Sequence, residues 1–427
     1  MVRPYETTPT TDQGAENIIR REPPLLTKLT YASYVYFIKG LVSPVYRWIN
    51  LRESFNPPPG APDIVKTYEC RPNLPVRIFL PTFYDQTSPQ TLPTLFTIHG
   101  GGFCVGQSRD DDEWNRSFAD SQYVLVVALN YSKAPENPFP KSVHDIGALL
   151  NAVLSDESLP IDRTANTASK RSRTAILGFS SGANLALAAC QLPLVREQQC
   201  YPAAVISCYG NLDLTVPVEE KTANRPWKGD LLPPPRNATT EPTMTFAPAL
   251  EWGYIPYGQD LSDPLLSPYF APREKLPPFV GVAAAELDIL AHESWRFACR
   301  LAREGAAATV KLRQIPDRKS NDPRWRICGW ENSVGRVGEL EKEEVERFAF
   351  EENWGTGGVK WLLVPDVMHG FDNANCRWWF GGQETIEDAE SKAEVCRVEL
   401  GRWLKETVWC LDPGDETASV YSCSGHV

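Results

Sequence analysis

Gly178-Phe179-Ser180-Ser181-Gly182 follows the apolar run Ala175-Ile176-Leu177 and precedes Ala183-Asn184-Leu185-Ala186-Leu187-Ala188-Ala189, which reads as a helix. Strand, G-x-S-x-G and helix in that order predict a sharp turn with a serine at its tip. The two glycines leave room where any side chain would strike the strand or the helix. Ser180 then stands exposed above the start of the following helix, whose dipole favours negative charge nearby. A turn of this kind caps a strand of an α/β sheet, and the rest of the chain is read from it.

A second motif lies upstream. His99-Gly100-Gly101-Gly102-Phe103 follows another strand-like run, Thr94-Leu95-Phe96-Thr97-Ile98. Three successive glycines uncover backbone N–H groups and admit a ligand close to the chain. No Walker lysine follows, and the spacing does not match G-x-G-x-x-G, so a phosphate loop is disfavoured. Acyl transfer needs donors aimed at a tetrahedral oxyanion. The N–H groups of Gly100, Gly101, Gly102 and Ser181 are the candidates.

Together these motifs resemble the hormone-sensitive-lipase-like branch of the α/β-hydrolases. Asn130 to Pro140, Asp263-Pro264-Leu265-Leu266-Ser267-Pro268, Asp288-Ile289-Leu290 with Glu293, and His369-Gly370-Phe371 are similar to further blocks of that family. The resemblance covers roughly residues 60–410. It implies an α/β-hydrolase fold, with a mostly parallel central sheet, helices on both faces and a helical cap. It also implies a carboxylic ester hydrolase.

The residues lead the same way. A serine hydroxyl needs a base, and the base needs a carboxylate to orient it. Of the five histidines, His99 opens the glycine loop and is read as its brace. His144 falls on a helix face, His292 on the helix after a strand, and His426 in the tail. His369 alone sits in a loop just after an apolar run, residues 359–365. For the carboxylate, Asp288 ends the run 279–287, and Glu286, two residues earlier, shares its strand face. Periodicity does not separate the two; the family resemblance favours Asp288. Ser180, Asp288, His369 is the chain order of α/β-hydrolases. Glu293 is read as support for a loop or a helix start, and Asp366 and Asp372 as loop carboxylates.

Composition fits a large enzyme core. The chain has 427 residues, 42% of them hydrophobic, and a formal charge of −11 with no basic stripe, which argues against a nucleic-acid partner. The acidic run Asp110-Asp111-Asp112-Glu113 is read as a solvated helix start rather than a metal site. No metal or cofactor motif is found. Eleven cysteines lack any C-x-x-C pair, and no apolar leader follows Met1, so the expectation is free thiols and a cytoplasmic location.

The expected organisation is a lead-in and cap helices over 1–60, the first part of the core over 61–210, a second cap segment over 211–262, the second part of the core over 263–412 and a flexible tail over 413–427. Residues 1–23 are read as disordered. The aromatic stretch 25–55 is read as cap helices lining an apolar substrate tunnel, with an interfacial membrane anchor as the alternative. Asp288 and His369 are 81 positions apart, more than the family needs. The excess is placed at about 317–358, with a short helix expected near 339–351 and the last strand at 359–363 rather than 308–312. The expected substrate is a short-acyl ester, or a metabolite ester or lactone. A lyase of the same fold and a non-catalytic binder are the alternatives.

Overall fold

The computed structural model describes residues 18–164, 171–225, 232, 235–239, 241–309, 349–377 and 381–411. Nine strands form one sheet: β1 (Ile64–Tyr68), β2 (Arg71–Phe79), β3 (Thr94–Ile98), β4 (Leu125–Leu129), β5 (Thr174–Phe179), β6 (Ala204–Cys208), β7 (Phe279–Ala285), β8 (Ala349–Trp354) and β9 (Gly357–Val364). The order is β1-β2-β4-β3-β5-β6-β7-β9-β8. From β4 to β9 all neighbours are parallel, and antiparallel pairs close both edges.

The parallel strands are buried throughout because helices cover both faces, which is why they read as unbroken apolar runs. Their side chains alternate between two cores. Ile176 joins α3 (Lys141–Leu154), α4 (Ser181–Ala189) and α8 (Ala291–Thr309) on one face. Its neighbours Ala175 and Leu177 join α2 (Asp112–Gln122) and the closing helix α9 (Gln383–Trp403) on the other. All nine residues of α4 are buried, so this helix is enclosed on every side, and its polar Asn184 donates to Asn211 O and Leu266 O. The short α5 (Pro193–Arg196) follows it.

Three helices meet the loops that follow the carboxyl ends of β4, β6 and β3: α1 (Leu25–Phe55) through Lys39 on Ala134 O, α6 (Val218–Ala223) through Lys221 on Asn211, and α7 (Pro242–Tyr254) through Leu250 against Gly102. Residues 25–55 form a single helix that packs along α7, with Tyr34 stacked on Phe246 at 5.6 Å between centroids. At the end of α7, Tyr254 stacks on Phe103 at 3.7 Å. Residues 18–20, expected to be disordered, are instead pinned: Arg20 N–H donates to Gln259 O, and Ile18 O accepts from Leu261 N–H.

The region between α8 and β9 departs from expectation. Ala308 and Thr309 end α8 rather than start a strand. The expected helix at 339–351 lies mostly outside the described residues, and its last three positions belong to β8. A tight turn at Gly355-Thr356 folds β8 back on β9, pairing Ala349 with Leu362 and Trp354 with Gly357. Phe350 packs edge-on against Trp295, and the ladder satisfies what would be an open sheet edge. These non-local contacts outweigh the helical look of the glutamates.

Candidate functional site

Ser180 sits between β5 and α4 with φ 53° and ψ −120°, a left-handed conformation that serine adopts only under constraint. Two features impose it. The Ser180 N–H donates to Cys208 O on β6 at 2.9 Å. The flanking glycines let strand, turn and helix meet: a Cβ on Gly182 would lie 2.2 Å from Ile98 O, and one on Gly178 2.1 Å from Gly182 O.

His369 lies in the turn after β9 and Asp288 in the turn after β7. The His369 Nε2 is 2.9 Å from Ser180 Oγ, and its Nδ1 is 2.7 Å from Asp288 Oδ2. The other Asp288 oxygen accepts the Leu290 N–H at 3.0 Å, so the carboxylate is held at both ends. With Nδ1–H donating to a carboxylate, Nε2 is left to accept the serine proton. Burial works against the imidazolium, but the charge and hydrogen bond of Asp288, with Glu241 and Asp372 adding to them, outweigh it and raise the His369 pKa.

The rival carboxylate, Glu286, is turned away and accepts the Asp366 N–H at 3.0 Å. The His369 ring also meets the edge of Tyr209 at 4.9 Å, and the Tyr209 hydroxyl donates to Asp372. Asp366 and Asp372 lie in turns, as expected of loop carboxylates, and both are buried. His144 is on α3 and His292 on α8; His426 lies outside the described residues.

The glycine loop touches the serine turn: a Cβ on Gly100 would lie 3.2 Å from Ser180 Cβ. Gly101 has φ +113°, and a side chain there would strike Val105 O at 2.3 Å. Among the described residues, no backbone carbonyl takes the N–H of Gly100, Gly101 or Gly102. Ser181 opens α4, where a helix leaves its first N–H groups without internal partners.

Behind the loop is a brace. His99 Nδ1 is 2.6 Å from Gly100 O, so the ring proton sits on Nδ1. Its Nε2 then accepts from Lys133 Nζ at 3.2 Å, and Lys133 also donates to Asn130 Oδ1 at 2.9 Å. Tyr131 stacks on His99 at 4.5 Å and donates to Gly100 O at 3.1 Å. Because a peptide is planar and trans, fixing the Gly100 carbonyl aims the Gly101 N–H the opposite way. Burial pushes Lys133 down to about 7; burial and the nearby Lys133 charge push His99 well below its usual value. Sequence reading missed Lys133, because nothing in a lone lysine of a loop signals that it will be buried against a histidine.

Glu293 supports the loop after β6. It accepts the Leu212 N–H at 2.6 Å, and Lys221 Nζ on α6 lies 2.6 Å from its other oxygen. Lys221 also donates to Asn211 Oδ1 at 3.0 Å, so this buried pair ties the cap to the core. Burial, opposed by Lys221, raises Glu293 to about 7.

The run 110–113 does start a helix, but it is not solvated. Asp111 is buried and accepts from Asn373, Asp110 accepts from Tyr46, and Asp112 pairs with Arg77; Glu113 alone is exposed. Among the described residues no group of three or more His, Cys, Asp or Glu side chains is arranged to hold a metal ion.

A family model described as the α/β-hydrolase fold matches residues 95–317. An AB hydrolase superfamily protein of Schizosaccharomyces pombe is 26% identical over 56% of this chain and 66% of its own length. Carboxylesterase NlhH of Mycobacterium tuberculosis is 28% identical over 55% of this chain and 69% of its own. Rabbit (Oryctolagus cuniculus) arylacetamide deacetylase is 30% identical, over 40% of this chain and 42% of its own. The match thus spans less than half to about two thirds of these curated relatives. Among solved structures, the esterase of Pyrobaculum calidifontis superposes with a TM-score of 0.57 at 19% identity, covering 91% of this chain and 99% of that one, a likeness of fold. The chain belongs to the α/β-hydrolase family, in its hormone-sensitive-lipase-like carboxylesterase branch.

Proposed function

We propose that this protein hydrolyses carboxylic esters with Ser180 as nucleophile, His369 as general base and acid, and Asp288 as the orienting carboxylate. The observation that carries the reading is the unbroken chain of contacts, 2.9 Å from Ser180 Oγ to His369 Nε2 and 2.7 Å from His369 Nδ1 to Asp288. Ser180 Oγ attacks the ester carbonyl while its proton passes to Nε2. Asp288 stabilises the imidazolium, and the N–H groups of Gly100, Gly101, Gly102 and Ser181 receive the oxyanion. The imidazolium then protonates the departing alcohol. Water repeats the cycle on the acyl-serine and releases the acid.

Core segments 61–210 and 263–412 carry this chemistry, and segments 1–60 and 211–262 form the cap that limits the substrate. Leu250 of α7 supports a short acyl group, because it presses on the glycine loop so closely that a Cβ on Gly102 would lie 2.4 Å from its Cδ1. The substrate is read as a short-acyl ester, or a metabolite ester or lactone. The nine cysteines among the described residues are all free thiols, which supports a reducing, cytoplasmic setting.

The test is labelling with a fluorophosphonate, peptide mapping of the adduct, and a panel of p-nitrophenyl esters from acetate to palmitate. The adduct is expected on Ser180. Ser180→Ala should lose roughly three orders of magnitude or more in rate with an unchanged melting temperature. An adduct on another residue, or near-parental hydrolysis by the variant, would overturn the assignment.

A further inference from the structure

The helix α1 has two apolar sides, and the fold uses only one. Its inner side carries Val35, which is buried, Tyr34 against Phe246, Tyr46 bonded to Asp110 and Glu53 paired with Arg77 and Arg109. On the opposite arc, at spacings that keep to one helical face, stand Leu26, Leu29, Phe37, Leu41, Trp48 and Phe55. Their exposures are 77%, 55%, 65%, 58%, 60% and 83%. With 31 residues the ridge is about 45 Å long. Isolated apolar residues on a surface need no explanation, but a continuous ridge of large ones marks a contact.

Charge narrows the choice of partner. The sole acidic residue of α1, Glu53, is turned inward. Arg47 and Arg52 are exposed beside the ridge, the latter over the Trp48 ring at 5.8 Å. A second copy of this arc would bring cations and no counter-charge; an anionic headgroup layer would bring one. A convex ridge carrying Trp48 and Tyr36, whose rings suit the boundary between headgroups and acyl chains, fits a bilayer surface better than a groove. No described helix is long and apolar enough to cross a membrane.

We propose that the outer face of α1 docks this protein onto an anionic lipid bilayer, with the helix lying in the headgroup plane. Because α1 packs along α7, which presses on the glycine loop, docking sets the cap beside the lipid surface. The net charge of −11 opposes approach elsewhere on the molecule, so attachment is confined to this face. Docking does not depend on the hydrolytic reading, and its test needs no activity.

The experiment is co-sedimentation of the full chain with vesicles of phosphatidylcholine alone and of phosphatidylcholine with phosphatidylserine. The parent should pellet with the anionic vesicles. Phe37→Ser with Trp48→Ser should weaken that binding by about tenfold or more, since both side chains lose their apolar seat. Arg47→Glu with Arg52→Glu should remove the preference for phosphatidylserine. Melting temperatures of both variants should match the parent, because all four side chains face outward. Three outcomes would overturn the proposal: a parent that stays in the supernatant with both vesicles, serine variants that pellet as the parent does, or a parental dimer without vesicle binding that the serine variants convert to monomer. The last would assign the face to a second copy of this chain.

Discussion

Asp288→Asn is the sharpest test of the proposed mechanism, because the structure sets both its size and its sign. The Oδ1 atom of Asp288 is occupied by the Leu290 N–H, so an asparagine would keep its oxygen there and turn its NH₂ toward His369. A donor facing Nδ1 forces that nitrogen to accept. The ring proton then moves to Nε2, where it faces Ser180 Oγ and cannot take the serine proton. The lost charge adds to this. At a charge separation of about 4 Å and an effective dielectric near 20, carboxylate and imidazolium attract by about 4 kcal/mol, or roughly three pKa units. Wrong tautomer and lost charge together should lower kcat by about 10⁴. The pH profile should move in a direction that a merely structural defect would not produce. His369 must be neutral to act as base, so activity falls as pH drops through its pKa, which Asp288 holds above the ordinary 6.5. Without the carboxylate, burial dominates and the acid limb should shift to lower pH. The assay is kcat/KM for p-nitrophenyl butyrate between pH 4 and 9, with Glu286→Gln alongside, which keeps the oxygen that accepts the Asp366 N–H. A rate within tenfold of the parent, an acid limb that stays in place, or a larger loss in the Glu286 variant would refute Asp288 as the orienting group.

Two further variants test the supports. Lys133→Met should lower kcat about tenfold with little change in KM, because the Gly101 N–H matters most when the oxyanion forms; a raised KM with unchanged kcat would show that Lys133 does not act through the loop. Burial lowers Lys133 to about 7 in the fold against 10.5 unfolded, so the unfolded chain holds the extra proton between these values and the parent should gain stability relative to the variant as pH rises through that window, a trend readable by urea denaturation. Lys221→Met leaves Glu293 buried without its cation and should cost about 3–5 kcal/mol at pH 8. Glu293 has its pKa raised to about 7 from 4.5, so its neutral form suits the fold and the cost should shrink on going to pH 5.5; a cost independent of pH would show that the glutamate charge is not the cause.

The legible parts of the fold are those whose constraint is local. The parallel strands declare themselves because both faces are buried, and the serine turn and glycine loop because a Cβ on Gly178, Gly182 or Gly101 would lie within 2.1–2.3 Å of a neighbouring backbone oxygen, where only glycine fits. His369 was legible as a histidine in a loop at a strand end. The edge strands were not. β1 presents Lys66 and Thr67 to one solvated edge, and β8 reads Ala-Phe-Glu-Glu-Asn-Trp, a pattern equally suited to a helix. The supports were hidden for the same reason. Lys221 meets Glu293 from 72 positions away. The acidic run at 110–113 takes its partners from α1, β2 and the loop after His369, none of which its own composition announces.

The unusual separation of Asp288 and His369 gains a structural meaning from β8. Without it, β9 would be the last strand of the sheet, and His369 would hang from an edge. The chain leaves after α8 and returns through β8, so β9 is paired at seven positions with β7 on one side and at six with β8 on the other. Trp361 in the middle of β9 is buried on the sheet face that α8 covers and packs edge-on against Trp295 of α8 at 5.4 Å. A strand held on both sides resists fraying, and its end, five residues before His369, is correspondingly fixed. Ser180, Asp288 and His369 come from β5, β7 and β9, and Gly100 to Gly102 from β3. Every group of the proposed mechanism therefore hangs from an interior strand of one sheet. β8 extends the sheet beyond the strand that carries the histidine and leaves the distances between these groups to the ladder they share.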